Sequence, residues 1–122
     1  MGNNIHRKDS ASGEGSHHWW HQRLTAIANL ILIPWFMVSM ALIANGYYVS
    51  VEDWLKTPFN TIAIILLLSN VFYHGTLGIK VVIEDYIHCK CGKTALIIGL
   101  NFAAIFAAAA SIFAVLNIYF NI

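Results

Sequence analysis

The chain has 122 residues, of which 58% are hydrophobic and only 11% charged, and its formal net charge is +1. Globular proteins carry about 25% Asp, Glu, Lys and Arg, and a chain this short leaves much of its surface exposed, so it lacks the polar residues to cover that surface in water. With a mean hydropathy of +0.64, the composition excludes a soluble enzyme, and the near-zero charge excludes a nucleic-acid binder, which needs a basic footprint.

An all-α membrane protein is therefore expected, a single membrane-anchor domain over residues 1–122. The first 18 residues are rich in Gly, Ser, Asn and His without apolar periodicity, which predicts a mobile tail. They do not form a cleavable signal peptide, because the apolar run begins too late and continues too long. Met1-Gly2 opens like a myristoylation signal, but His6 stands where Ser or Thr is required. Residues 24–51, 57–79 and 94–122 contain no Asp, Glu, Lys or Arg, and each exceeds the roughly 20 apolar residues needed to cross the hydrocarbon core. Three transmembrane helices are predicted, near 24–47, 58–83 and 94–120.

Within the first span, Pro34 removes a backbone hydrogen bond, which membrane helices tolerate. Pro58 suits the start of the second. In the third, Gly99, Ala103, Ala107 and Ser111 recur every four positions, and Ala104 and Ala108 widen that stripe. Small residues at this spacing permit close helix packing, although Ala also serves simply as a good helix former.

The distribution of Lys and Arg near span ends sets orientation. Arg7, Lys8 and Arg23 precede the first span, and Lys80, Lys90 and Lys93 flank the turn after the second, against Lys56 alone on the other side. The N-terminus is thus expected in the cytoplasm, or in the matrix of a mitochondrion, with the C-terminus opposite. Trp19, Trp20, Tyr47, Tyr48, Trp54 and Tyr119 fall near span ends and read as interfacial anchors.

Of six histidines, only His74 lies inside a span. An ionisable group at that depth is a functional candidate by default, whereas polar glue between helices is the plainer alternative; position alone leaves both open. Gly75 and Gly78 flank the imidazole, and missing side chains there would let a flat macrocycle lie against the helix. A neutral imidazole in a helical bundle is a natural axial ligand for haem iron. No second histidine stands at membrane depth, so the opposite ligand would come from another chain. Asp85, eleven residues on, returns to within about 20° of His74 on the helix wheel and lies roughly 16 Å further toward the basic side. Beside it, Tyr86 offers a phenol that can donate to a quinone carbonyl, and the carboxylate can supply protons. Arg23 opens the first span on the same side and could pair with Asp85 or with a haem propionate. Each of these three also fits an interfacial anchor with no chemistry.

The run His18-Trp19-Trp20-His21-Gln22-Arg23-Leu24-Thr25-Ala26 opens the first span, and His74-Gly75-Thr76-Leu77-Gly78-Ile79-Lys80-Val81-Val82-Ile83-Glu84-Asp85-Tyr86 closes the second. With three helices in a chain this short, the pattern resembles the small hydrophobic membrane-anchor subunits of succinate dehydrogenase, respiratory complex II. The resemblance implies half of a heterodimeric helical bundle, paired with a second cytochrome b anchor subunit, with haem b shared between them. His74 then matches the axial haem ligand, and Asp85 and Tyr86 match the pair at the ubiquinone site. Arg23 matches a basic residue near the haem propionates and quinone site. The flavoprotein and iron–sulfur subunits would dock on the cytoplasmic or matrix side. The chain would not oxidise succinate by itself; it would serve succinate-to-quinone electron transfer in the respiratory chain and tricarboxylic acid cycle. Without an Arg-rich, acidic-poor presequence, a bacterial inner membrane is expected ahead of a mitochondrial one.

Two other readings compete. A fumarate reductase anchor shares the fold and runs the same chemistry in reverse. In a small membrane transporter or scaffold, His74 would relay protons or merely pack, but proton-coupled carriers normally hold a carboxylate within a span, and these spans hold none. His17 and His21 lie four apart, as zinc ligands on a helix can, yet no Cys or carboxylate completes a set nearby. Cys89 and Cys91 are separated by one residue, which misses the usual zinc and redox spacings, so free thiols are expected.

Overall fold

A computed structural model describes the backbone of residues 3–121 and the side chains of residues 19–121. Four helices follow in chain order: α1 (Asn3–Ala44), α2 (Val51–Leu55), α3 (Pro58–Tyr86) and α4 (Lys90–Phe120). Three of them contain stretches long and apolar enough to cross a membrane, Trp19–Ala44, Pro58–Tyr86 and Lys90–Phe120. The all-α, three-span architecture expected from the charge-free runs is therefore present. One boundary differs: the first helix begins at Asn3, so the polar head is helical and runs without a break into the span instead of stopping short of residue 24. The side chains of His17 and His18, and with them the weak His17–His21 metal pair, lie outside the described residues.

Local signals account for the helix ends. Gly46 takes a left-handed φ of +83°, and the amides of Gly46 and Tyr47 donate back to the carbonyls of Ile43 and Leu42. That is the Schellman arrangement, which favours glycine because a side chain is strained there. Pro58 occupies the first turn of α3 behind Thr57, where its missing amide costs nothing. The turn read as a plain loop contains α2, capped by the Ser50 hydroxyl, which accepts the Asp53 amide at 3.2 Å. Glu52 and Asp53 lie in its first turn, where negative charge suits the helix dipole.

α3 is the central helix, packed against both α1 and α4, while α2 folds back onto α3 and α4. The most buried apolar residues lie at the α2 end: Trp54, Leu55, Ile64 and Leu67 form a cluster, joined by Leu32, Trp35, Phe36, Met40, Ile43 and Val115. Trp54 is only 2% exposed and its ring lies 5.5 Å from that of Trp35. It is a core residue, not the interfacial anchor its position near a span end suggested. Trp19 and Trp20 do stay exposed. On α4 the second small-residue row, Ala104, Ala108 and Ser111, is half-buried, whereas Gly99 and Ala103 are exposed. No atom outside its own helix backbone comes within 4 Å of a Cβ built at Gly99. The wider row, rather than the Gly99–Ala103 end of the stripe, meets the rest of the chain.

Candidate functional site

α1 and α3 run antiparallel, which brings the start of the first span alongside the last turns of the second. Thr25 on α1 meets His74 on α3, with Oγ1 3.2 Å from the imidazole Nδ1. Thr25 also donates to carbonyls of its own helix, to His21 at 2.9 Å and Gln22 at 3.1 Å. The His21 ring stands edge-on to Tyr73, with centroids 6.3 Å apart. His74 is thus held at a helix–helix contact.

Beside it runs an open, mainly apolar groove of about 380 Å³, lined by Ala26, Asn29, Leu30, Ile33, Pro34 and His74. Asn29 is buried, and its Oδ1 atom has no hydrogen-bond partner. An unpaired buried acceptor is costly, and this one lies in a residue that borders the groove. A Cβ built at Gly75 or Gly78 meets nothing within 4 Å. That open space keeps the α3 surface next to the imidazole free for a flat group. Among the described residues no three His, Cys, Asp or Glu side chains gather as a metal set. His74 is a single donor, which suits a metal already held in a macrocycle. The residues present accordingly fit a haem approached from this chain on one face.

A second cleft of about 290 Å³ lies further toward the C-terminal end of α3, lined by Gln22, Leu77, Lys80, Val81 and Glu84. Beyond it, Asp85 and Tyr86 complete the last turn of α3. Both are exposed, Tyr86 at 77%, so the phenol and carboxylate are open to a ligand or a neighbouring subunit. Arg23 sits about 3 Å from the height of Thr25, while Asp85 lies about 16 Å beyond His74 along α3. The Arg23 guanidinium rests over the Trp19 ring, 5.1 Å from its centroid. Among the described residues the one ion pair joins Lys56 to Asp53, so the Arg23–Asp85 pair envisaged from sequence is not formed. The reason is register: Arg23 is level with the imidazole, not with the end of α3.

Sequence reasoning singled out His74, Asp85, Tyr86 and Arg23 but missed Thr25 and Asn29. The available signal was polar residues one helical turn apart inside an apolar run. It also missed the cleft formed by Gln22, Lys80 and Glu84. Cys89 and Cys91 are free and exposed.

Three helices long and apolar enough to cross a membrane, one of them carrying an imidazole that borders an open apolar groove, define an integral membrane protein of the anchor type. The described succinate dehydrogenase/fumarate reductase transmembrane subunit family matches residues 3–116, and the chain belongs to that family. It is 37% identical to the succinate dehydrogenase hydrophobic membrane anchor subunit of Rickettsia bellii, covering 91% of this chain and 90% of the relative. The subunits of the same name from Rickettsia felis and Rickettsia typhi are 34% and 33% identical, covering 85% and 89% of this chain and 87% of each relative. No solved structure matches.

Proposed function

We propose that this chain anchors a succinate dehydrogenase in a bacterial inner membrane, providing an axial ligand to haem b and part of the ubiquinone-reduction site. The observation that carries the proposal is His74, an imidazole inside a membrane span that borders an apolar groove. Its Nε2 is the atom assigned to the iron, and Gly75 and Gly78 leave room for the macrocycle edge. A second cytochrome b anchor subunit would cover the groove and share the haem. When bound, the haem supplies a one-electron carrier within the membrane. Arg23, level with His74, would pair with a propionate after rotating off Trp19.

Ubiquinone reduction takes two electrons and two protons. Electrons come from succinate through the flavoprotein and iron–sulfur subunits, which dock on the Arg23 and Asp85 side. Tyr86 donates its phenolic hydrogen bond to a quinone carbonyl and orients it. Asp85 passes protons from the aqueous side to that oxygen. The chain itself oxidises nothing; it holds the acceptor where electrons and protons meet.

Purification of the chain from its membrane in mild detergent tests this directly. Flavin and iron–sulfur subunits should co-purify, and the complex should show a haem Soret band that His74→Leu abolishes or alters. An unchanged haem spectrum in His74→Leu sinks the ligand assignment. Reduction of fumarate by quinol in preference to succinate oxidation would place the complex on the fumarate reductase side of the same family.

A further inference from the structure

We infer that Thr25 is a positioning residue for His74, holding the imidazole in the tautomer and orientation that leave Nε2 free as a metal donor. The inference deepens the haem-ligand reading above and rests on it. Thr25 has a single hydroxyl proton, and its Oγ1 lies 2.9 Å from the His21 carbonyl and 3.1 Å from the Gln22 carbonyl. Those carbonyls can only accept. With the proton directed to them, the lone pairs of Oγ1 face His74, and the contact at 3.2 Å forms only if Nδ1 carries a hydrogen and donates it.

A neutral imidazole has one N–H and one lone pair. A protonated Nδ1 therefore places the lone pair on Nε2, the nitrogen a metal requires. The reverse arrangement, in which Thr25 donates to Nδ1, would put the proton on Nε2 and block ligation. It would also give up both carbonyl contacts, which are the shorter ones. Ligand histidines generally donate their other N–H to an outer partner, which fixes the ring and makes the ligating nitrogen more basic.

Thr25 suits this task structurally. A threonine in a helix can settle its hydroxyl on a carbonyl one turn back, and its branched side chain then has little rotational freedom. It projects from a different helix than His74, so the ring is braced across the α1–α3 contact rather than by its own backbone. Asn29, one turn further along α1, borders the groove, and its Oδ1 makes no hydrogen bond to the imidazole. Among the described residues, Thr25 is the hydrogen-bond partner of Nδ1.

The test uses the intact membrane complex and reads the haem midpoint potential and the low-spin ferric EPR signal, neither of which depends on turnover. Thr25→Val keeps the shape but removes the acceptor, and Thr25→Ala is a smaller second variant should Val hinder assembly. Both should raise the midpoint potential, because an imidazole that has lost its N–H acceptor donates less density to ferric iron, and both should broaden the EPR signal. Thr25→Ser, which retains a hydroxyl, should restore the wild-type potential and signal. Unchanged potential and EPR signal in Val and Ala, while His74→Leu alters the spectrum, overturns the role of Thr25 and leaves the ligand assignment standing. A merely structural threonine would lower thermal stability without moving the potential, and that result also overturns it. If His74→Leu itself leaves the spectrum unchanged, the underlying ligand reading fails, and the inference falls with it.

Discussion

The Thr61 hydroxyl donates to the Leu55 carbonyl at 2.6 Å, joining the first turn of α3 to the last residue of α2. One position earlier the Asn60 amide donates to the Trp54 carbonyl at 2.9 Å. A helix as short as α2 ends with carbonyls that have no intrahelical partner, and α3 supplies those partners from side chains that are themselves buried. Thr61→Val preserves shape and strands the Leu55 carbonyl. The expected loss is about 1–3 kcal/mol, seen as earlier thermal unfolding of the detergent-solubilised complex, with Thr61→Ser close to wild type. Equal melting of Val and wild type would show that the carbonyl finds another partner.

Two tryptophans near span ends should respond in opposite ways. Trp54 is almost wholly buried and packs on Trp35, whereas Trp19 is 51% exposed. Replacing a buried Trp by Ala removes its transfer energy and leaves a cavity, at a cost of roughly 3–5 kcal/mol. Trp54→Ala is therefore expected to lower stability sharply, and Trp19→Ala only slightly. Similar melting shifts in the two variants would contradict the placement of the core at the α2 end.

That contrast marks where sequence stops being informative. The three spans were legible because each is a charge-free run of sufficient length, and the start of α3 because Pro58 fits a first helical turn. Trp54 was misread because proximity to a span end looks the same for an anchor and for a ring folded inward. α2 escaped notice since five residues including Glu52 and Asp53 carry too little periodicity to distinguish a helix from a loop. At the candidate site, His74, Asp85 and Tyr86 share one helix, so their spacing follows from geometry. The Thr25–His74 contact and the true height of Arg23 depend on the register between two helices. Apolar periodicity in a membrane span constrains that register weakly, because lipid and helix faces are equally apolar.

Cys89 should be an unusually reactive thiol. It stands at the N-terminal cap of α4, outside the span, and is exposed. Its sulfur falls short of a full capping hydrogen bond, yet the backbone amide of Gly92, and next that of Cys91, stabilise the thiolate and lower the pKa. A lowered pKa extends the thiolate form to lower pH. Below the midpoint, the gain in thiolate fraction outweighs the smaller loss of intrinsic nucleophilicity. In a Cys91→Ser background, alkylation of Cys89 should show a pH midpoint below that of a short peptide spanning the same residues, and a faster rate at neutral pH. Coincident profiles would remove any influence of the α4 N-terminus.

Tyr86 is the sharpest probe of the quinone reading. Its ring is largely exposed at the end of α3, so Tyr86→Phe removes one hydroxyl without disturbing a core. A lost hydrogen bond of about 1.4 kcal/mol corresponds to roughly a tenfold change in rate or affinity. Succinate–ubiquinone reductase activity should fall by about that factor, while succinate oxidation with a soluble artificial acceptor, which bypasses the membrane site, stays nearly unchanged. Asp85→Asn tests the partner role: it keeps the shape but removes the proton carrier, and should slow quinone reduction more steeply as pH rises and protons become scarce. Equal loss of both activities in Tyr86→Phe would mean that the substitution disturbs docking of the soluble subunits and that the phenol does not hold the quinone.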